Sequence, residues 1–299
     1  MPADNTMVSY SQNFEDVVLA RVFADVVRGC YVDVGANHPE RDSVTKYFSD
    51  CGWTGINVEP GRVYATLAAA RPHDINLNIV ASDHSGSITY YEGDAPGLAG
   101  VLPEVPESLR LIVGERTARV VPARTLAEIL ATHLGNRTID FLSVDVEGHE
   151  RAVLAGNDWQ RFRPRVVLVE ATLPGTPTPC HDQWEDLLLT ANYHFAYFDG
   201  LNRFYTRAEE AALLQPRFGP PSVFDRFIPA ELAKLRAGSP DIAAATKELT
   251  MERDYLARQV RELNTQLATA TSLTAGMGGR SLKLARLLSR VGRKLRPAA

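Results

Sequence analysis

The sequence contains few cysteines and no long apolar run. Its three cysteines, Cys30, Cys51 and Cys180, match no spacing of metal ligands or redox pairs, so we expect buried or idle thiols in a reducing compartment. No stretch approaches the ~18 apolar residues of a membrane span, and the first residues hold no apolar run of signal-peptide length. These absences disfavour a disulfide-rich or membrane-spanning protein and predict a cytoplasmic one.

A surplus of basic residues is also missing from most of the chain. The net charge is −4, and residues 280–296 contain seven Lys and Arg and no acid, so removing that +7 leaves about −11 for residues 1–279. An acidic body repels phosphate groups, and we therefore expect no nucleic-acid partner. The apolar fraction of 45% is enough for a sizeable core.

Short apolar segments alternate with helix-like segments from Cys30 onward, which predicts an α/β fold. Five segments are apolar on both faces, as expected of buried parallel strands: 30–35, 55–60, 75–82, 138–148 and 163–171. Helix-like segments lie between and after them: 43–51, 62–70, 125–134, 150–155 and 181–191. Residues 193–207 form two aromatic runs around an Asp-Gly turn, which predicts an antiparallel hairpin. We therefore expect a Rossmann-like sheet of five parallel strands plus an antiparallel edge hairpin.

The segment VDVGANHPE (32–40) has one glycine where dinucleotide-binding proteins have three. Asn37 and Glu40 stand where the other glycines would be, which argues against a diphosphate cofactor. Gly35 still permits the backbone to approach a ligand at the carboxyl edge of the sheet. The pattern favours an adenosine ligand carrying an amino acid and a positive sulfonium, for which Asp33 supplies negative charge. An ordinary β-turn is the alternative.

Acidic residues also close the next two apolar segments. Glu59 ends the second, where a carboxylate can accept both ribose hydroxyls. Ser82 and Asp83 end the third, where a short acidic side chain can receive the adenine amine. Each acid alone could be a surface carboxylate, but acids at three successive strand ends favour a nucleoside site.

The segment FLSVDVEGHE (141–150) predicts the catalytic edge. Asp145 and Glu147 alternate on an otherwise apolar strand, so we expect them to face the same side, with His149 in the following turn. Burying two carboxylates is costly unless a function or a cation requires them. His149 is the preferred base because its ordinary pKa, about 6.5, lies near working pH. Asp145 or Glu147 would orient it or hold acceptor hydroxyls.

Two alternatives remain open for this segment. Asp145 could merely cap the following helix. A divalent metal could be bound by the carboxylates, but the motif lacks clear third and fourth ligands, so no metal is assigned.

An ordered series of motifs resembles the FkbM-type methyltransferase family: SQNFED (11–16), YVDVGANHP (31–39), DSVTKYF (42–48), GINVEP (55–60), SVDVEGHE (143–150) and FDGLNRFY (198–205). The resemblance covers about residues 10–227. It implies a class I methyltransferase sheet, S-adenosyl-L-methionine as cofactor, and O-methylation of a sugar hydroxyl on a glycan or natural product. It implies cofactor contacts from Asp33, Gly35, Asn37, Glu59, Asp83 and Asp145. It further implies that Gln12, Glu15 and Ser43 help to close over the methionine end.

The composition changes after the expected methyltransferase domain, residues 1–232. Within 233–275, Ile242, Leu249, Leu256, Leu263 and Ala270 recur every seven residues, which favours a short coiled coil over a solvated single helix. Within 276–299, a glycine-rich break precedes a basic amphipathic helix. We expect this C-terminal helical tail to form homo-oligomers. We also expect it to contact the inner face of a membrane, a partner glycosyltransferase or the acidic body itself.

Two other function classes remain. A nicotinamide-dependent oxidoreductase is disfavoured by the missing glycines. A catalytically degenerate methyltransferase-fold scaffold in a glycan-assembly complex is disfavoured by the acids at all the expected strand ends.

Overall fold

The computed structural model describes residues 6–93, 99–104 and 114–238, together with Thr265. The chain divides into two units, Met1–Ala233 and Lys234–Ala299, and the sheets and the cavity belong to the first. The coiled-coil segment and the basic helix expected from the sequence lie outside the described residues. Within those residues, no helix combines the length and the apolarity needed to cross a bilayer.

The described residues contain strands and short helices in alternation, and the last helix runs past the end of the first unit. The strands are β1 Met7–Ser9, β2 Cys30–Val34, β3 Thr54–Val58, β4 Ile75–Leu77, β5 Val80–Ser82, β6 Gly86–Glu92, β7 Thr117–Thr125, β8 Phe141–Val144, β9 Val166–Glu170, β10 Tyr193–Phe198, β11 Asn202–Arg207 and β12 Phe227–Pro229. The α-helices are α1 Glu15–Val22, α2 Lys46–Asp50, α3 Tyr64–Ala70, α4 Leu126–His133, α5 Glu150–Ala155, α6 Glu185–Thr190, α7 Ala211–Leu214 and α8 Ala230–Gly238.

The main sheet has seven strands in the order β10-β11-β9-β8-β2-β3-β4. The five strands from β9 to β4 pair in parallel, whereas β11 pairs antiparallel with both β9 and β10. A second sheet has the order β5-β7-β6 and contains both parallel and antiparallel pairs, and β1 pairs in parallel with β12. The fold is therefore α/β with mixed sheets, which confirms the α/β class expected from the sequence.

Helices cover both faces of the main sheet because its central strands are apolar on both sides. In β9, Val167 and Val169 pack into one core with residues of α4, α5 and α6, while Val166 and Leu168 pack into another with residues of α1 and α2. Successive side chains of a strand point to opposite faces, so an unbroken apolar run requires two cores. The carboxyl ends of the parallel strands are left as the open edge of this layered structure.

The structure differs from the sequence expectation at three elements. The segment 75–82 is not one strand, since β4 belongs to the main sheet and β5 to the second sheet. The segment 138–148 forms a strand only over Phe141–Val144, so Asp145 and Glu147 lie in the turn after it and not on the strand. The segment 181–191 begins as a 3-10 turn and becomes helical only over Glu185–Thr190.

Candidate functional site

A cavity of about 870 Å³ lies at the carboxyl ends of the parallel strands. Ligands of open α/β sheets bind at this edge, and the volume is within the usual range of ~300–1,000 Å³ for ligand pockets. The cavity brings together eight of the residues singled out from the sequence: Gln12, Glu15, Gly35, Asn37, Glu59, Asp145, Glu147 and His149. Four others do not line it: Asp33, Ser43, Ser82 and Asp83.

Gly35 lies where two backbone segments approach each other closely. Its φ is +88°, and a Cβ built on it would lie 1.7 Å from the carbonyl oxygen of Asp145. Its N–H donates to the carbonyl of Val58 at the end of the neighbouring strand. Only glycine therefore fits this position, and the turns after β2 and β8 meet closely at the cavity.

Glu59 follows β3 and is held by two backbone N–H groups. The N–H of Asn37 donates to one carboxylate oxygen at 2.9 Å, and that of Gly61 donates to the other at 2.5 Å. Asn37 adopts the left-handed conformation, with φ of 47°, which asparagine tolerates better than most residues. Each carboxylate oxygen keeps a second lone-pair site, so Glu59 can still accept two hydroxyl groups from a cavity ligand.

Glu92 on β6 lines the cavity near Glu59, and the sequence analysis did not single it out. It accepts the N–H of Arg62 at 2.6 Å and the Nε–H of Arg119 at 3.0 Å. Burial acts first to raise the pKa of Glu59, and the charge of Glu92 adds to it. The second sheet thus supplies a further acid to the same end of the cavity.

Asp33 and Ser43 belong to a buried network behind the cavity. Thr45 donates its hydroxyl to Asp33 at 2.8 Å, and Arg71 donates to Ser43 at 3.2 Å. Burial raises the pKa of Asp33 to about 6, while the Thr45 hydroxyl and the Arg71 charge oppose that shift. Asp33 therefore faces Thr45 within the protein, and any effect on a cavity ligand acts through the field and not by contact.

Ser82 and Asp83 do not line the cavity, and β5, which ends at Ser82, belongs to the second sheet. Ser82 is fully buried, and its Oγ lies 3.1 Å from His149 Nε2 and 3.2 Å from Asp83 Oδ1. Asp83 is exposed and accepts a hydrogen bond from His84 at 2.7 Å. The hydrogen-bond partner of His149 is thus Ser82, whereas the sequence suggested Asp145 or Glu147. Burial lowers the pKa of His149, which keeps its ring neutral at neutral pH.

Asp145 and Glu147 line the cavity from the turn between β8 and α5. Glu147 has a φ of 54°, an unusual conformation for glutamate, and its buried Oε2 has no hydrogen-bond partner among the described residues. Asp145 does not cap α5, because His149 is the N-cap residue and no side chain makes a capping hydrogen bond there. Backbone strain of this kind persists where the surrounding structure enforces it, often at functional sites.

Glu170, at the end of β9, is a cavity residue that the sequence analysis missed. It is 8% exposed, and its Oε2 has no hydrogen-bond donor among the described residues. Val144 and Val169 are paired in register, so the next residues, Asp145 and Glu170, lie side by side and share a hydrogen bond. Two carboxylates can share a hydrogen bond only when one of them is protonated. Burial and the charges of neighbouring carboxylates accordingly raise the pKa of Glu170.

This raised pKa predicts a pH-dependent stability effect for Glu170→Gln. A folded-state pKa above the unfolded value of about 4.3 means that the folded chain binds more protons, so its stability falls as pH rises above that value. Glutamine removes this loss. We expect the variant to be more stable than the parent by roughly 1–2 kcal/mol at pH 8 and to show no gain near pH 4.

Chemical denaturation of both proteins at the two pH values measures this difference. Glu209→Gln is the matched control, because Glu209 is exposed and hydrogen bonds from Arg163 lower its pKa. That control should show no gain at pH 8. A Glu170→Gln variant less stable than the parent at pH 8 would contradict the shared-proton arrangement.

Gln12 and Glu15 reach the cavity from the N-terminal segment, next to the hairpin. Asn202 on β11 donates to Glu15 at 2.7 Å, and the N–H of Asn13 donates to it at 2.9 Å. Burial raises the pKa of Glu15 to about 7. The SQNFED and FDGLNRFY motifs, almost 190 residues apart in the chain, therefore meet at one wall of the cavity.

The lining of the cavity is strongly acidic. Within the described ranges, no group of three or more His, Cys, Asp or Glu side chains is arranged to hold a metal ion. The acids that line the cavity are Glu15, Asp42, Glu59, Glu92, Asp145, Glu147 and Glu170, against the cations Arg41 and Arg62. This lining suits hydroxyl groups and positive charge, and it repels anions.

Comparisons with known proteins identify the family. A model of the methyltransferase FkbM domain matches residues 33–195, which is more than half of the chain and runs from the end of β2 to the start of β10, with most of the cavity. No curated protein matches the chain. The chain belongs to the FkbM methyltransferase family.

Proposed function

We propose that the protein is an S-adenosylmethionine-dependent O-methyltransferase that methylates a sugar hydroxyl, and that its main sheet is a Rossmann-like class I methyltransferase sheet. The observation that carries the proposal is the placement of Gly35 and Glu59 at the ends of adjacent parallel strands, on one cavity. Family membership supports the methyl-transfer reaction.

The residues present fit the proposed cofactor. Glu59 is buried at the cavity wall with free lone pairs for two ribose hydroxyls, and the turn at Gly35 leaves the strand edge open beside it. The apolar side chains of Ile79, Val80 and Tyr90 line the same region and suit an adenine ring. When bound, S-adenosylmethionine supplies an electrophilic methyl group carried on a sulfonium.

The chain's own residues then position the acceptor and take its proton. His149 is neutral and lines the cavity, so its ring can accept the proton of the acceptor hydroxyl as that oxygen bonds to the methyl group. Asp145, Glu147 and Glu170 accept hydrogen bonds from other acceptor hydroxyls. Orienting both reactants in one cavity contributes roughly 7–11 kcal/mol to catalysis in well-oriented systems.

The acidic lining limits the acceptor class. A phosphate or carboxylate on the methylated ring would be repelled by the acidic lining, in which Asp145 and Glu170 still carry one negative charge between them. Carboxylate oxygens accept hydrogen bonds from hydroxyl groups in these positions. We therefore infer that the methylated sugar ring is itself uncharged, whatever the glycan or natural product that carries it.

Replacing Glu59 by alanine should weaken cofactor binding. The change removes the ribose contact, and hydrogen bonds to a charged group are worth ~1.5–3 kcal/mol, which is a loss of roughly 10- to 150-fold in affinity. Calorimetric titration with S-adenosylhomocysteine measures it. Glu209→Ala, an exposed glutamate outside the cavity, is the control. An unchanged affinity in Glu59→Ala would remove Glu59 from the cofactor site.

A methyl-transfer screen tests the proposed reaction. The full chain is incubated with S-adenosylmethionine labelled in the methyl group and with neutral glycosides, nucleotide sugars, uronic acids and lipid-linked glycans. We expect label in a neutral sugar ring, in an ether that resists mild alkali. Label confined to uronic acids or to nitrogen atoms, or no transfer by a chain that binds the cofactor, would contradict the proposed acceptor.

A further inference from the structure

We infer that Ser82 and Asp83 are positioning residues that fix the tautomer of His149, with the proton on Nε2 and with Nδ1 as the proton acceptor. This inference rests on the proposed function for its role in methyl transfer. The sequence analysis assigned both residues to the adenine ring, and neither lines the cavity.

The Ser82 hydroxyl has a single proton to donate. Two acceptors compete for it, Asp83 Oδ1 at 3.2 Å and His149 Nε2 at 3.1 Å. Hydrogen bonds from His84 and, to a smaller extent, from Ser82 lower the pKa of Asp83, so Asp83 is an anion at neutral pH. Charge-assisted hydrogen bonds are roughly twice as strong as neutral ones, which favours donation to Asp83.

With its proton donated to Asp83, Ser82 Oγ can only accept a hydrogen bond from His149. His149 is neutral, so it carries one proton, and this contact places the proton on Nε2. Nδ1 then keeps its lone pair. No hydrogen bond to Nδ1 is made by any residue in the described ranges, and the ring lines the cavity.

The surrounding structure holds this arrangement in place. Ser82 is the last residue of β5, and a Cβ built on Gly156, at the end of α5, would lie 2.0 Å from the Ser82 carbonyl oxygen. The strand and the helix that begins after His149 are therefore in close contact. The titratable groups that act on the His149 ring are Asp83 and His84, from the turn after β5.

The tautomer can be read without any substrate. The full chain is labelled with ¹⁵N-histidine, and the ¹⁵N shifts of the two ring nitrogens of His149 are assigned by comparison with His149→Ala. We expect a protonated Nε2 and an unprotonated Nδ1 in the parent. In Ser82→Ala, which removes the acceptor, we expect a mixture of both tautomers. Asp83→Asn should also increase the population of the other tautomer, but less than Ser82→Ala does, because Asp83 is exposed to water.

Turnover provides the second readout, with the sugar that the methyl-transfer screen identifies. Loss of one hydrogen bond of about 1 kcal/mol predicts a fall in kcat of roughly 5-fold for Ser82→Ala, with KM for the cofactor unchanged. Ser85→Ala is the matched control, because its hydroxyl contacts Thr125 and Glu128 and not His149.

A proton on Nδ1 in the parent, or a Ser82→Ala variant with unchanged tautomer and kcat, would overturn the inference. A rise in KM for the cofactor at unchanged kcat would overturn it too, and would indicate that Ser82 contacts the adenine ring. If the parent transfers no methyl group, the proposed function fails, and the ¹⁵N shifts still decide whether Ser82 and Asp83 fix the tautomer.

Discussion

His149→Ala should lower the turnover of methyl transfer by about 10²–10⁴-fold and leave the affinity for S-adenosylhomocysteine almost unchanged. A general base acts in the chemical step, so its loss affects kcat and not the binding of the cofactor. Burial lowers the pKa of His149, and the base must be neutral. The parent should therefore stay active to a lower pH than an ordinary imidazole with a pKa of about 6.5 would allow. This acid limb of the pH–rate profile should disappear in the variant.

His194→Ala is the matched control for that experiment. His194 is exposed on β10 and lies outside the cavity, so its replacement should leave both turnover and the pH profile at parental values. If His149→Ala methylates at the parental rate across neutral pH, His149 is structural. Asp145, with its hydrogen bond to Glu170, then becomes the candidate for the proton acceptor.

Gly35→Ala should destabilise the fold by roughly 2–5 kcal/mol and abolish measurable cofactor binding. Alanine at a left-handed φ costs about 1–2 kcal/mol, and inserting a methyl group into a packed site adds ~1–3 kcal/mol. The clash is with the backbone oxygen of Asp145, which cannot rotate away. Either the turn after β2 or the turn after β8 must move, and both line the cavity.

Gly52→Ala separates backbone strain from the close approach. Gly52 has a φ of +82°, close to that of Gly35, but a Cβ built there meets nothing within 4 Å. It should therefore lose only the ~1–2 kcal/mol of the left-handed conformation and keep full affinity for S-adenosylhomocysteine. Denaturant unfolding and calorimetry compare the two variants. Equal losses of unfolding free energy at both positions would show that the clash with the Asp145 carbonyl does not contribute to the destabilisation.

The sequence predicted the site residues best where the signal is local. Gly35 and Glu59 each stand at the end of an apolar run, and the carboxyl ends of neighbouring parallel strands meet at one edge. That rule alone places both on one cavity, without knowledge of side-chain packing. The alternation of strands and helices could also be predicted, because strands buried on both faces are apolar without interruption.

The position of Ser82 and Asp83 could not be predicted because it depends on which sheet a strand joins. The segments Ile75–Leu77 and Val80–Ser82 are both apolar, and the chain leaves the main sheet between them. At that point Asn78 donates its side-chain amide to the carbonyl of Glu59. A run of apolar residues does not show where the chain passes from one sheet to another. Ser82 was therefore expected at the edge of the main sheet, whereas it ends a strand of the second sheet.

The sequence shows an acid at Glu170, but its contact with Asp145 depends on tertiary structure. An acid ends the buried strand Val166–Glu170, as Glu59 follows β3, and that pattern was available. Its contact with Asp145 depends on the register of β8 and β9, which no periodicity reveals. Similarly, the Glu147-Gly148 pair signals a left-handed turn, and this could have shown that the strand ends before Asp145.

The class of cofactor is tested most directly by calorimetric titration of the full chain with S-adenosylhomocysteine and, separately, with NADH and NADPH. Gly35 and Glu59 on a cavity without the other two glycines of a dinucleotide motif predict saturable binding of S-adenosylhomocysteine, one molecule per chain, and no binding of either nicotinamide. Saturable binding of NADH or NADPH without affinity for S-adenosylhomocysteine would contradict the methyltransferase assignment. Binding of none of the three would leave a methyltransferase fold that acts as a scaffold.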